Sequence, residues 1–248
     1  MELPRHIAIK GTHNIRDLGG YVTAQGTRVP ARRFLRADCL HRLAPGGTET
    51  LIDEGLSGVI DLRTRQEVAK APSLFDGVEG VAYSNIPLFD TLSPEALSAV
   101  HLQDTHPLVP FYIAALDTRG VAIKNILTAI ARVNQGAALF NCTAGKDRTG
   151  IIAALLLGLA GVSDADIVED YALTEQMIPD LVAEFLSISR AAGGDVESYA
   201  TLLQSPADTM EKTLQHIKTQ HGSIRKYVDG LGFERTDLFR LIDRLCGV

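Results

Sequence analysis

Cysteine is scarce in this 248-residue chain: Cys39, Cys142 and Cys246 are all it has. Three scattered cysteines make no disulfide framework, which favours a reducing compartment. Long apolar runs are missing as well. The longest uncharged stretch, 149–163, falls short of the roughly 20 apolar residues a membrane helix needs, so no integral membrane association is expected. The opening segment MELPRHIAIKG lacks the apolar run of a secretory leader. A cytoplasmic protein is therefore expected, with export by a route that needs no cleaved leader left open. Nor is there an excess of positive charge: Lys+Arg 24 against Asp+Glu 30 give a net −6. That balance argues against a general nucleic-acid or anionic-membrane binder, while leaving room for a local basic pocket. No repeat, low-complexity tract or Pro/Ser linker divides the chain, and 1–248 reads as a single domain.

What is present is an ordinary globular composition, 46% hydrophobic and 22% charged, enough for a core without disulfides or a structural metal. Short apolar runs at 33–37, 58–62, 81–88 and 137–141 read as strands. Helical patterns lie between them at 45–54, 94–101, 107–116 and 119–134. Such alternation predicts an α/β fold, with a largely parallel sheet of four to five strands covered by helices on both sides. After residue 148 the pattern is almost wholly helical, at 148–160, 164–173, 178–191, 195–203, 207–220, 223–231 and 236–246. Gly193-Gly194 marks a break between two of these.

The segment 137–160 carries the most information. AALFN is an apolar strand, CTAGKDRTG a polar turn, and IIAALLLGLA a helix apolar on every side, which must be buried. A strand feeding a tight loop and then a buried helix aims the loop amides and the positive helix end at one point, an anion site. A thiol placed there, Cys142, gives up its proton readily. Arg148, after five intervening residues, can offer a planar fork to two oxygens of a phosphate or other oxyanion seated over the sulfur in the loop 142–148. Gly145 lets the backbone turn with its amide inward, and the Thr149 hydroxyl can donate to the sulfur. Phosphoryl transfer to a thiolate needs a nucleophile, in-line geometry and donors around the equatorial oxygens, here the amides of Thr143, Ala144, Gly145 and Lys146 onward. An ATP-binding P-loop fails on two counts. Phe140 stands where its first glycine belongs, and Asp147 where Ser or Thr should follow the lysine, so no nucleotide is implied.

NCTAGKDRTG resembles the signature of the cysteine-dependent protein tyrosine phosphatase superfamily. Its Gly-Lys-Asp-Arg core is similar to that of the atypical bacterial tyrosine/serine phosphatases, a group that includes a mycobacterial enzyme described as acting on phosphotyrosine, phosphoserine/threonine and phosphoinositides. Asn14-Ile15-Arg16-Asp17-Leu18-Gly19-Gly20 resembles the family's Asn-x-Arg-Asp-x-Gly-Gly element. FLRAD at 34–38, Asp61-Leu62-Arg63 and GSIRKY at 222–227 are weaker matches in family order. One departure stands out: the superfamily usually has His before the nucleophile, and this chain has Asn141, which can also donate and accept.

The resemblance implies a protein tyrosine phosphatase-like fold and a phosphate monoester hydrolase that needs no metal or other cofactor, with a phosphotyrosine protein or peptide as first substrate and a phosphoinositide as second. It implies Cys142 as nucleophile, Arg148 as phosphate clamp and Asp147, inside the loop, as general acid, with a helical lid within 164–204. An acid at Asp147 must carry its proton beside a phosphate, and a neighbouring anion favours the protonated form. Its alternative role is to brace Arg148 or a loop amide. Asp61, at a strand end, is the best-placed other acid, ahead of Asp90 and Asp104; its alternative is a structural partner for an arginine. Lys146 can add charge over a phosphate or inositol ring, or stand solvated at the loop crest. Arg16 and Arg63 are expected at the pocket rim. The arginines 28, 32, 33, 36 and 42 read first as a solvated edge strand. His101 and His106 do not share a helix face, and no metal site is expected. A rhodanese-like sulfur transferase and a weakly catalytic phosphate-binding module remain as alternatives.

Overall fold

The computed structural model describes residues 5–89 and 105–247. The helix expected at 94–101, with Asp90, Asp104 and His101, lies outside the described residues.

Five strands form one sheet: β1 (Arg16–Asp17), β2 (Phe34–Ala37), β3 (Leu56–Asp61), β4 (Ala82–Asn85) and β5 (Ala137–Asn141), in the order β1-β2-β5-β3-β4. All neighbours run parallel except β1, which pairs antiparallel with β2. The architecture is the expected α/β one. In the centre, β5 is buried along its whole length because it has a strand on each side and helices on both faces. Its residues alternate between two cores. Ala137 and Leu139 join Leu35, Ala37, Leu51, Val59 and Phe75, while Ala138 and Phe140 face the larger core built by the later helices.

On the first face lies α1 (Gly47–Asp53), packed through Leu51, while α2 (Arg65–Lys70) follows β3 and buries no residue. On the other are α3 (Leu108–Thr118), α4 (Gly120–Ala131) and α5 (Asp147–Leu159). They are followed by α6 (Asp164–Ala172), α7 (Thr174–Met177), α8 (Pro179–Ala191) and α9 (Val196–Leu203). The chain closes with α10 (Ala207–His221), α11 (Ile224–Gly230) and α12 (Arg235–Cys246). As its all-apolar pattern requires, α5 is buried from Arg148 to Leu157. Gly193, at φ +73°, does separate α8 from α9.

Three features differ from the sequence reading. β4 ends at Asn85, short of the expected 88, although the Ile86 and Leu88 amides on either side of Pro87 still donate to Asp61 O and Leu62 O. The helix α2 follows a capping box, in which Thr64 and Glu67 satisfy each other's backbone N–H. Arginines 28, 32, 33 and 42 are exposed, as expected, but β2 lies inside the sheet between β1 and β5, and Arg36 is fully buried.

The C-terminal ends of β2, β5 and β3 come level, with Ala37 and Asp61 both opposite Asn141. The chain leaves β5 between two neighbours whose own connections go elsewhere, the crevice where open α/β sheets take ligands.

Candidate active site

Residues 142–146 form the turn out of β5, and α5 starts at Asp147. Gly145 sits at φ +66°, and a Cβ there would lie 2.7 Å from the backbone of Ala37 and Asp38. Only glycine meets both demands. Three of the turn's carbonyls, those of Thr143, Ala144 and Gly145, are held from behind. Thr143 O accepts from the Cys39 amide at 3.2 Å. Ala144 O and Gly145 O accept from the Asn14 side chain at 2.9 and 3.2 Å, and Gly145 O also from Arg36 at 2.7 Å. Among the described residues the amides of 143–148 donate to no acceptor. With its carbonyls fixed outward and its amides unengaged at the head of a 13-residue helix, the turn can cradle an oxyanion.

Cys142 and Arg148 both line the cleft at this point. The guanidinium of Arg148 is held in a bidentate ion pair, Nη1 to Glu67 Oε2 at 2.7 Å and Nη2 to Oε1 at 2.9 Å, and also reaches Thr143 Oγ1 at 3.0 Å. Thr143 donates to Glu67 Oε1 at 2.6 Å. Burial works against the Glu67 charge, but Arg148, Thr143 and the Thr64 amide outweigh it and hold the carboxyl well below the usual range. The sequence reading missed Glu67, although Thr64-x-x-Glu67 was legible as a capping box.

Asp147 is anchored through one oxygen. Its Oδ1 accepts from the Tyr112 hydroxyl at 2.6 Å and lies 3.0 Å from Lys146 Nζ. Lys146 is not solvated at a loop crest. It is buried, and Nζ donates to Leu202 O at 2.6 Å and Gln204 O at 2.9 Å, the carbonyl end of α9. Thr149 is also buried, but its hydroxyl has no hydrogen-bond partner among the described residues, so the expected bond to sulfur is not formed. The same holds for both polar atoms of the Asn141 side chain.

Arg16 and Arg63, expected at the pocket rim, do not line the cleft, and neither does Asp61, which takes its alternative place as partner of an arginine. Arg16 is buried behind the turn, bonded to Asn14 Oδ1 and, at 2.8 Å, to Asp170 O. The Asp170 carboxylate pairs with both Arg36 and Arg16 and accepts from Tyr21 at 3.2 Å. Burial and the Arg36 charge push Arg16 down to about 10, while the two arginines overcome burial at Asp170 and hold its carboxyl below the usual range. The Asn-x-Arg-Asp element therefore braces the turn from behind. Asp61 and Arg63 form a second buried pair, with Arg63 Nη2 2.6 Å from Asp61 Oδ2. Arg63 also donates to Ala71 O at 2.9 Å, which ties down the end of α2 and with it Glu67.

The rest of the cleft wall is apolar. Phe89, Phe185 on α8, and Tyr199, Leu202 and Leu203 on α9 surround the charged floor. Arg42 pairs with Glu184 of α8 at 2.5 and 2.6 Å. The three cysteines are free thiols, and burial pushes Cys39 up to about 11. No group of three or more His, Cys, Asp or Glu among the described residues is arranged to hold a metal ion, and His106 faces Thr201 O at 3.1 Å. No described helix is long and apolar enough to cross a membrane.

Comparison with known proteins agrees with this geometry. The chain is 32% identical to a tyrosine-protein phosphatase of Nostoc commune over 229 residues, covering 89% of this chain and 76% of the relative. It is 25% identical to the triple specificity protein phosphatase PtpB of Mycobacterium tuberculosis, over 96% of this chain and 98% of the relative. A model of the tyrosine phosphatase family matches residues 7–247. A match from before β1 to the end of α12 takes in every element that holds the turn, and on it the chain belongs to the tyrosine phosphatase family and is a phosphatase.

Proposed function

We propose that this phosphatase hydrolyses phosphotyrosine in proteins or peptides through a phosphocysteine intermediate on Cys142. One observation carries the reading. The turn above Cys142 has its carbonyls fixed outward by Asn14, Arg36 and the Cys39 amide, leaving the amides of 143–148 and the braced Arg148 to meet a tetrahedral oxyanion. Cys142 Sγ attacks phosphorus in line. The P–O bond to the leaving group breaks, and Asp147 gives that oxygen its proton. Water then attacks phosphorus, Asp147 takes the water's proton, and the S–P bond breaks to return the thiolate and release phosphate.

A cleft walled by Phe89, Phe185 and Tyr199, with the thiol buried at its floor, favours a phosphate carried on a planar aromatic stem. Phosphoinositides rank second. The charge meant for their headgroup is that of Lys146, whose ammonium is engaged by Leu202 O, Gln204 O and Asp147. A relative named for triple specificity supports a wider range that includes phosphoserine/threonine. We read 1–248 as one phosphatase domain working in the cytoplasm, with α8 and α9 covering the cleft as a lid. The sulfur-transferase alternative is not favoured, because the family matched is one of phosphatases.

The test is hydrolysis of a phosphotyrosine peptide in EDTA by the wild type, Cys142→Ser and Asp147→Asn. We expect Cys142→Ser to be inactive and Asp147→Asn to lose about 10²-fold or more. Turnover retained by Cys142→Ser overturns the thiolate mechanism.

A further inference from the structure

We infer that Tyr112 is a positioning residue for proton transfer: it holds Asp147 by Oδ1, so that Oδ2 is the oxygen that carries the proton to the leaving group. The inference rests on the reading of Asp147 as general acid and adds the atom and the residue that orient it. The Tyr112 hydroxyl donates to Oδ1 at 2.6 Å, and the Lys146 ammonium forms an ion pair with the same oxygen at 3.0 Å. An oxygen that accepts a phenol hydrogen and lies beside an ammonium charge is the disfavoured place for a proton, since an O–H there would compete with the phenol hydrogen and sit next to the cation. Oδ2 has no hydrogen-bond partner among the described residues, and Asp147 lines the cleft. The neutral acid therefore carries its proton on Oδ2.

Tyr112 is itself fixed. Its side chain is buried in α3, and its hydroxyl lies 2.9 Å from that of Tyr171 on α6, with the two rings edge to face at 6.0 Å and 88°. The one proton of Tyr112 goes to Asp147, so Tyr171 donates to the Tyr112 oxygen. The two phenols make a polarised chain that ends on the carboxyl group. Burial, reinforced by the Asp147 charge, raises both phenols well above their ordinary range, so both stay protonated as donors. Nothing in the periodicity of α3 distinguishes this tyrosine from a core residue.

The discriminating experiment is leaving-group dependence. Phenol, with a pKa of about 10, needs a proton as it departs; p-nitrophenolate leaves without one. We expect Tyr112→Phe to lower kcat/KM for phenyl phosphate about tenfold, as for loss of a hydrogen bond to a charged group, and for p-nitrophenyl phosphate less than about twofold. The loss should fall on kcat, with KM and inhibition by inorganic phosphate little changed. Asp147→Asn should show the same selectivity, more strongly. Equal losses on the two esters, or no loss on phenyl phosphate, overturn the positioning role and leave Asp147 as acid untouched. An Asp147→Asn enzyme without selectivity overturns the acid reading and this inference with it. If Tyr112→Phe does not fold, Tyr171→Phe decides: a smaller loss confined to phenyl phosphate supports the chain of phenols, and an unselective loss overturns it.

Discussion

Arg36 donates to the carbonyl of Gly145 at 2.7 Å while its other terminal nitrogen pairs with Asp170. One buried guanidinium thus links the strand beside β5, the turn at 142–146 and α6. With Arg16 it encloses a single fully buried carboxylate, an arrangement in which removal of one partner leaves uncompensated charge. Arg36→Met is expected to lower stability by about 3–5 kcal/mol, read as a fall in the urea midpoint with an unchanged slope. A variant as stable as the wild type would mean that the network is not formed.

Gly145→Ala should separate activity from stability. The added Cβ forces a left-handed residue, costing about 1–2 kcal/mol, and it would also press on the backbone of Ala37 and Asp38 at 2.7 Å. The turn has to move to relieve that contact, and the amides move with it. We expect kcat/KM to fall by about 100-fold or more, as for loss of an oxyanion donor, with a Tm only a few degrees lower. Equal loss of fold and activity would count against the turn as the sensitive element.

How much of this was legible beforehand follows from how local each signal is. The strand at 137–141, the glycine turn and the all-apolar helix were readable because the pattern is contiguous. The roles of Arg16 and Arg36 were not. Each charge defaults to the surface until its partner is known, and Asp170 lies 154 and 134 residues further along the chain. Asp61 and Arg63 were noticed for their strand-end position, yet two residues apart they satisfy each other and turn away from the cleft. Glu67 carried a local signal, its capping box, but its second duty on Arg148 spans 81 residues. The tertiary half of the site was thus hidden even where the local half was plain.

Glu67→Gln tests the brace on Arg148 with a worked pH sign. The folded-state pKa of Glu67 is depressed, so its contribution is complete above the unfolded Glu value of about 4.3 and fades as pH falls through the folded value. The stability difference between wild type and Glu67→Gln should be constant from pH 7 to about pH 5, and should shrink once pH drops below about 4. Unfolding in urea across that range measures it. At neutral pH the variant should also lose about tenfold in kcat/KM, because a neutral amide holds the guanidinium less firmly. A gap that widens toward acid would reverse the assigned direction.

Lys146 offers the sharpest choice between lipid reader and internal tether. Its ammonium donates to Leu202 O and Gln204 O and contacts Asp147, so Lys146→Met leaves the end of α9 without its cation. If the tether is its role, hydrogen exchange in α9 should rise, and kcat/KM should fall by a similar factor for a phosphotyrosine peptide and a soluble phosphoinositide. If instead the lysine reaches a headgroup, exchange should stay as in the wild type and only phosphoinositide hydrolysis should suffer. The geometry favours the first outcome, since a buried lysine must leave two carbonyls and a carboxylate before it can meet any ligand. That exchange repays it only where the headgroup offers at least as many acceptors in the same depth of cleft.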